Sequence, residues 1–359
     1  VTGPGSSSTL APSRRGWPLL GLLCGALCLV FALDLALGSV RIPLDDIITI
    51  LFGGGAGKES WRQIVLAYRL PRALTAVLGG AGLSVAGLQM QTLFRNPLAG
   101  PFVLGINAGA SLGVAAAVLA AGGLAGAGLI SGLSIFGSLG TVVSATLGAA
   151  LVFGMIMLVS RRVESNMTLL ILGLMFGHTA GAAVSVLLHF SAAEQIRIFV
   201  AWTFGSFAGV GWDQLQVLAP AVLAGLAAAF LLVKPLNALL LGEAYARSMG
   251  LTVRRARLAV LAGTSLLAGA ITAFCGPIAF LGVAVPHLCR GLLGTSDHRL
   301  LVPAVTLTGG VLALTADLVA QLPGSQAVLP LNAVTSLIGA PVIIWVILQR
   351  ANLRSTFAS

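Results

Sequence analysis

Charge is what this sequence has least of. Only 8% of its 359 residues are Asp, Glu, Lys or Arg, against about 25% in a soluble domain. Acidic residues number ten and tyrosines two. A chain of this length cannot cover a water-facing surface with so few charges. Cysteine is also scarce, and the four present do not read as a disulfide set. Cys24 and Cys28 lie one helical turn apart in the first apolar run. Cys275 and Cys289 lie in or beside later ones, so all four read as small packing residues. No His, Cys, Asp or Glu group has metal-ligand spacing. No Ser–His–Asp set or carboxylate pair converges, so no catalytic site is expected.

What fills the sequence instead is apolar. The hydrophobic fraction is 57% and the mean hydropathy is +1.02. Apolar runs of about 20 residues recur along the chain, the length that crosses a bilayer as helix. Only helices and closed barrels satisfy their backbone in lipid. A barrel would alternate apolar and polar residues, whereas these runs are continuous and rich in Ala, Leu and Gly. The expected fold is an all-α, polytopic membrane helix bundle. Ten spans are predicted, at 17–38, 70–92, 98–120, 139–160, 167–190, 214–234, 256–275, 277–293, 301–321 and 332–349. Residues 1–15 read as a disordered cytoplasmic terminus and 16–359 as one transmembrane domain. The opening run SRRGWPLLGLLCGALCLVFALDLALG reads as an uncleaved first helix. A cleaved export signal is the other reading, weakened by its length and by the lack of an A-x-A site. The net charge of +10 does not point to nucleic acid, because the basic residues stand in ones and twos beside apolar runs. Fourteen of the twenty fall on the N-terminal side of the topology, which predicts both termini in the cytoplasm.

Two stretches are helical without spanning. IPLDDIITILFG (42–53) has Pro at a helix start and acids in its first turn. AEQIRIFVAWTFGSFAGVGW (193–212) is amphipathic and aromatic, as an interfacial or re-entrant helix is. Both are expected on the outer side. In the second span Ala76, Gly80 and Ser84 recur at steps of four, with Gly82 and Ala86 beside them, which suits close helix packing. AVLGGAGLSVAG (76–87) is echoed by AVLAGTSLLAGA (259–270), and NPLAGPFVLG (96–105) by GPIAFLG (276–282). Five spans separate the copies, so they are expected to run in opposite directions, a transporter design. Arg95, Asn96 and Pro97 form a cytoplasmic turn, because Pro97 cannot continue a helix and pushes Asn96 out of it. Asn107, within the third span, must meet protein or a wet cavity. It reads as an interhelical hydrogen bond or as pathway lining. GGGAGKES (53–60) fails the phosphate-loop pattern at both ends, with Phe52 for Gly and Glu59 for Ser/Thr.

RLPRALTAVLGGAGLSVAGLQMQTLFRNPLAGPFVLGINAGASLG closely resembles the signature region of the FecCD-type permeases of bacterial ABC importers for iron–siderophore complexes, haem and vitamin B12. GEAYARSMGL (242–251), GPIAFLGVAVPHLCR (276–290), TADLVAQ (315–321) and LPLNAVTSLIGAPVIIWVI (329–347) resemble family segments in family order. The resemblance implies ten helices in the bacterial inner membrane, a second permease copy, two ATPase subunits that bind ATP and Mg, and an external binding protein. It implies no cofactor on this chain, and a ferric siderophore as first cargo, with haem or cobalamin as alternatives. By resemblance, Arg69 and Arg72 are outer-face residues that meet acidic groups of the binding protein. Residues 235–257 are the cytoplasmic coupling loop, with Glu243, Arg247, Gly250 and Arg254 forming the surface set against the ATPase. Gly250 is placed to end a helix. His178 lies mid-span in the fifth helix, which lines the pathway in the family; packing is its other reading. Residues 164–168, with Ser165 and Asn166, are the candidate gate. Two departures stand out: Gln321 where the family often has Arg, and Val328–Asn332 where it often has an acidic segment. Asn332 is expected near the pore mouth. An ion-coupled transporter is the competing reading, disfavoured because few spans carry ionisable residues.

Overall fold

The computed structural model describes residues 16–38, 40–54, 57–120, 138–163, 165–322 and 328–356. The terminus 1–15, Glu164 of the candidate gate and Gly55-Ala56 of the phosphate-loop look-alike lie outside them. Every regular element among the described residues is helical. The chain begins with α1 (Gly16–Ala36) and the short α2 (Leu44–Leu51). Pro43 stands at the α2 N-cap, with Asp45 and Asp46 in the first turn, as the sequence predicts. α3 (Glu59–Gln63) runs through a π-helical turn (Ile64–Arg69) into α4 (Leu70–Leu93), giving one helical stretch of 35 residues. α5 (Ile106–Ala120), α6 (Ser138–Ser160), α7 (Asn166–His189), α8 (Ala193–Thr203) and α9 (Trp212–Leu231) follow. α10 (Val233–Leu240) and α11 (Glu243–Ser248) are short. α12 (Val253–Cys275), α13 (Leu281–Leu293), α14 (His298–Ala320) and α15 (Leu331–Thr356) complete the bundle. Among the described residues, seven helical stretches are long and apolar enough to cross a membrane, and three shorter apolar helices, in α5, α13 and α15, accompany them. Together they occupy the ten predicted spans.

Two predicted boundaries shift for the same reason. The third span was expected from residue 98 and the eighth from 277. Instead a 3-10 turn (Pro101–Leu104) and left-handed Gly105 precede α5. Gly276 and Phe280, both at positive φ, precede α13. A residue with positive φ cannot continue a right-handed helix. These breaks are the structural form of the internal echo: in each copy a long helix ends, a non-helical link follows, and a short apolar helix resumes. The two long helices are antiparallel. Gly79 and Gly82 of α4 approach Ile271 of α12, whereas Gln89, further along α4, meets Thr264, earlier in α12.

α4 is the centre of the bundle, with nineteen of its residues buried. Its small residues explain how neighbours come so close. A Cβ added to Gly80 would lie 2.1 Å from the Gly309 carbonyl oxygen of α14, and one added to Gly87 would lie 1.7 Å from that of Gly282 in α13. Backbones that touch in this way gain dispersion contact that larger residues would block. α7 is the opposite case. Only Leu169, Gly173, Ala180 and Val184 are buried, a single narrow stripe.

Candidate functional site

At the end of the bundle that carries α11, three helices meet on one carboxylate. Glu243 opens α11, and its Oε1 accepts from Arg257 Nη2 of α12 at 2.8 Å and from Asn166 Nδ2 at 2.7 Å. Arg257 also donates to the Val163 carbonyl at 3.1 Å, and Asn166 to that of Leu93, the last residue of α4, at 3.0 Å. The Arg257 side chain is 5% exposed and that of Glu243 25%. Arg247 reaches the second Glu243 oxygen at 3.4 Å from an exposed position. Charged hydrogen bonds of this kind are stronger than neutral ones. The candidate gate and the coupling segment, expected as separate features, are therefore one bracket. Ser165 caps α7, its Oγ accepting from Thr168 N at 3.3 Å.

Two residues of the expected coupling surface also have partners inside the bundle. Glu243 turns inward, because buried Arg257 needs a carboxylate there. Arg254 donates to the Arg161 carbonyl at 3.0 Å and so ties α12 to the end of α6. Arg247, Gly250 and Arg254 remain on the surface. Gly250 ends α11 as predicted, at φ +82, with Gly250 N bonded to Arg247 O and Leu251 N to Ala246 O. This is the Schellman pattern, in which a left-handed residue closes the helix.

A second bracket was not foreseen. Asn237 of α10 donates to Asp297 at 2.7 Å and accepts from His298 N at 2.9 Å. The fully buried His298 ring meets Asn237 Oδ1 through Nδ1 and Thr92 Oγ1 of α4 through Nε2, both at 2.8 Å. The only sequence signal for it was Asp297 before a helix start. The turn Arg95-Asn96-Pro97 lies at the same end. Arg95 adopts a left-handed φ of 47°, Asn96 Oδ1 accepts from Leu98 N, and His287 donates to the Pro97 carbonyl at 2.7 Å. His287 thus holds the turn against α13. Gln91 donates to Val283 O and accepts from Arg290, while Gln89 accepts from Thr264. Both glutamines face neighbouring helices, not a pathway.

At the opposite end, the expected outer-face arginines are engaged inside the protein. Arg69 is only 8% exposed and donates to the Leu35 carbonyl at 2.6 Å and to that of Val40. Arg72 forms a bidentate pair with Asp317 at 2.7 and 2.9 Å. Gln321 bridges Asp317 at 3.0 Å and Asp34 at 3.2 Å. The residue that replaces the family's usual Arg thus completes a buried polar network joining α1, α4 and α14. Arg72 keeps 18% of its side chain accessible. Asn332 joins three segments. Its Oδ1 accepts from Ala279 N at 3.0 Å and its Nδ2 points to Thr203 O at 3.5 Å, so it fastens α8, the link before α13, and α15.

Two residues predicted separately come together. Asn107 and His178 line one cleft of about 500 Å³ between α5 and α7, with Ser111 and the glycines 105, 173 and 177. Asn107 Oδ1 is buried with no hydrogen-bond partner among the described residues. His178 is exposed in the single chain, as are Ala182, Ser185 and His189 on the same side of α7.

The chain matches the FecCD transport family over residues 26–349. It is 39% identical over 281 residues to the vitamin B12 import system permease BtuC of Klebsiella pneumoniae, covering 78% of this chain and 81% of that one. It is 36% identical to the hemin transport system permease HmuU of Yersinia pestis, over 91% of this chain and 96% of that one. Among solved structures, a metal-chelate-type ABC transporter in an inward-facing conformation superposes with a TM-score of 0.80 at 28% identity, over 92% of this chain and 99% of that one.

Proposed function

From the membership of this chain in the FecCD transport family, we propose that it is the membrane-spanning permease of an ATP-driven importer that takes a bulky metal chelate into the cytoplasm. The supporting observation is the Glu243 bracket. A short charged helix at one end of the bundle is bonded through Glu243 to Asn166, the first residue of α7, and α7 carries His178 into the cleft. A push on α11 by a cytoplasmic ATPase then reaches the pathway helix through one carboxylate. Arg247 and Gly250 belong to the ATPase-facing side; Glu243 and Arg254 transmit the motion inward. The ATPase subunits, not this chain, bind ATP and Mg and hydrolyse the nucleotide.

A second copy covers α7 in this reading. Its exposed His178, Ser185 and His189 are costly against lipid and suit a wet conduit between two permeases. Asn107 and His178 then line that conduit, and Ser165 and Asn166 stand at its cytoplasmic gate. Both termini face the cytoplasm of a bacterial inner membrane. An external binding protein docks at the opposite end, above Arg69 and Arg72. There Arg72 offers its accessible edge, while Arg69 holds α1 in place beneath. A ferric siderophore is the first cargo to offer; cobalamin and haem, named for the relatives, are the second reading.

The test is uptake into proteoliposomes holding this chain, its ATPase and its binding protein, with labelled ferric siderophore, cobalamin and haem offered in parallel. Accumulation of one cargo that stops without ATP is expected. Uptake driven by an ion gradient without ATP would overturn the proposal.

A further inference from the structure

We propose that the arginine-lined pocket where α6 ends holds the anionic headgroup of a phospholipid. The pocket is about 390 Å³ and is lined by Ser160, Arg161, Arg162, Arg247, Arg254 and Arg257. These residues come from two separate stretches, the end of α6 and the segment from α11 into α12. Five guanidinium groups thus line it, with no carboxylate among its described lining residues, and Glu243 is engaged by Arg257 and Arg247. Arg254 is held in place by the Arg161 carbonyl. The side chains of Arg161 and Arg162 are exposed and have no hydrogen-bond or ion-pair partner among the described residues. Such a site recognises a phosphate, which matches the planar fork of arginine in charge and geometry.

The helix above it decides which phosphate. Val143, Leu147, Leu151, Met155 and Leu158 are all exposed, at steps of four, four, four and three along α6. They form one apolar stripe that ends on the arginines. From Val143 to Ser160 the helix rises about 25 Å at 1.5 Å per residue, close to the roughly 30 Å hydrocarbon core. The pocket therefore lies at headgroup depth, with a greasy track leading to it. An acyl chain on the stripe and a phosphodiester in the pocket fit one amphiphile. A free anion would use only the pocket. Basic pockets between membrane helices on the cytoplasmic side are suited to such headgroups.

The experiment uses the full chain purified in detergent and titrated with phosphatidylglycerol, phosphatidylcholine or inorganic phosphate. Bound lipid is counted by native mass spectrometry, and thermal unfolding is followed in parallel. Phosphatidylglycerol is expected to bind at least tenfold more tightly than phosphatidylcholine, with inorganic phosphate a poor competitor. The double substitution R161Q/R162Q should weaken phosphatidylglycerol about twenty-five-fold, from roughly fivefold per arginine near an anionic surface. Should that variant fail to fold, R161K/R162K keeps the charge and tests the fork alone, with a several-fold loss expected. Equal retention of both lipids overturns the proposal. So does phosphate competing at parity, which marks a soluble-anion site. Unchanged lipid binding in a variant that no longer assembles with its ATPase overturns it too, and marks a protein contact.

Discussion

Replacing Glu243 with Gln should uncouple ATP hydrolysis from transport without dismantling the permease. The carboxylate accepts from Arg257 at 2.8 Å and from Asn166 at 2.7 Å. Removing one partner of a fully buried ion pair costs about 3–5 kcal/mol. Here the Glu243 side chain is 25% exposed and Arg257 keeps its bond to the Val163 carbonyl, so the cost falls to about 2 kcal/mol once solvent screening is allowed for. Glutamine retains an acceptor, and the fold survives that loss. The bond to Asn166 is worth about 1.5 kcal/mol, the lower end for a hydrogen bond to a charged group. Since about 1.4 kcal/mol is a factor of ten, cargo moved per ATP should fall roughly tenfold in N166A, which loses the bond outright, and less in E243Q, which keeps a neutral acceptor, while the ATPase goes on turning over. The assay measures uptake and phosphate release together in proteoliposomes, for E243Q, N166A and the double variant. If the two residues form one relay, the double variant is no worse than the poorer single one. Effects that add to within about 0.5 kcal/mol would mean that they act independently and would refute the reasoning.

Two further predictions concern the fold. Arg72→Ala strands Asp317, whose side chain is 2% exposed, and should lower stability by about 3 kcal/mol, while Arg72→Met combined with Asp317→Leu costs less; thermal unfolding of the purified protein checks the order, and a single-variant loss below about 0.5 kcal/mol would contradict it. Gly250→Val should cost about 1–2 kcal/mol because φ is +82 and a β-branched residue resists the left-handed region. Nothing lies within 4 Å of the Cβ it would gain, so the effect is conformational, and Gly250→Asn should transport far better in the same uptake assay.

The bundle was legible because hydropathy along a chain of 8% charged residues leaves few alternatives. The spans, the helix-ending Gly250 and the antiparallel repeat all depend on local pattern or on order along the chain. What the pattern could not show was the partner of each polar residue. Arg69 and Arg72 look like a free outer pair in sequence, but the carbonyls at 35 and 40 and the carboxylate at 317 reach them only when α1 and α14 fold against α4. Glu243 reads as surface charge because its partner Arg257 lies fourteen residues away, on the next helix. Asn107 and His178 lie far apart in sequence, and only the α5–α7 contact brings both to one cleft. The shifted starts of α5 and α13 turn on φ angles at Gly105 and Phe280, which residue type alone does not dictate for phenylalanine.

The backbone contacts of α4 carry one consequence for the whole machine. With Gly80 against Gly309 and Gly87 against Gly282, neither α14 nor α13 can slide along α4 without steric collision. This trio is a stator. In the import cycle proposed above, motion then falls to the helices held more loosely around it, and α7, attached along one thin stripe, is the rotor that such a frame permits.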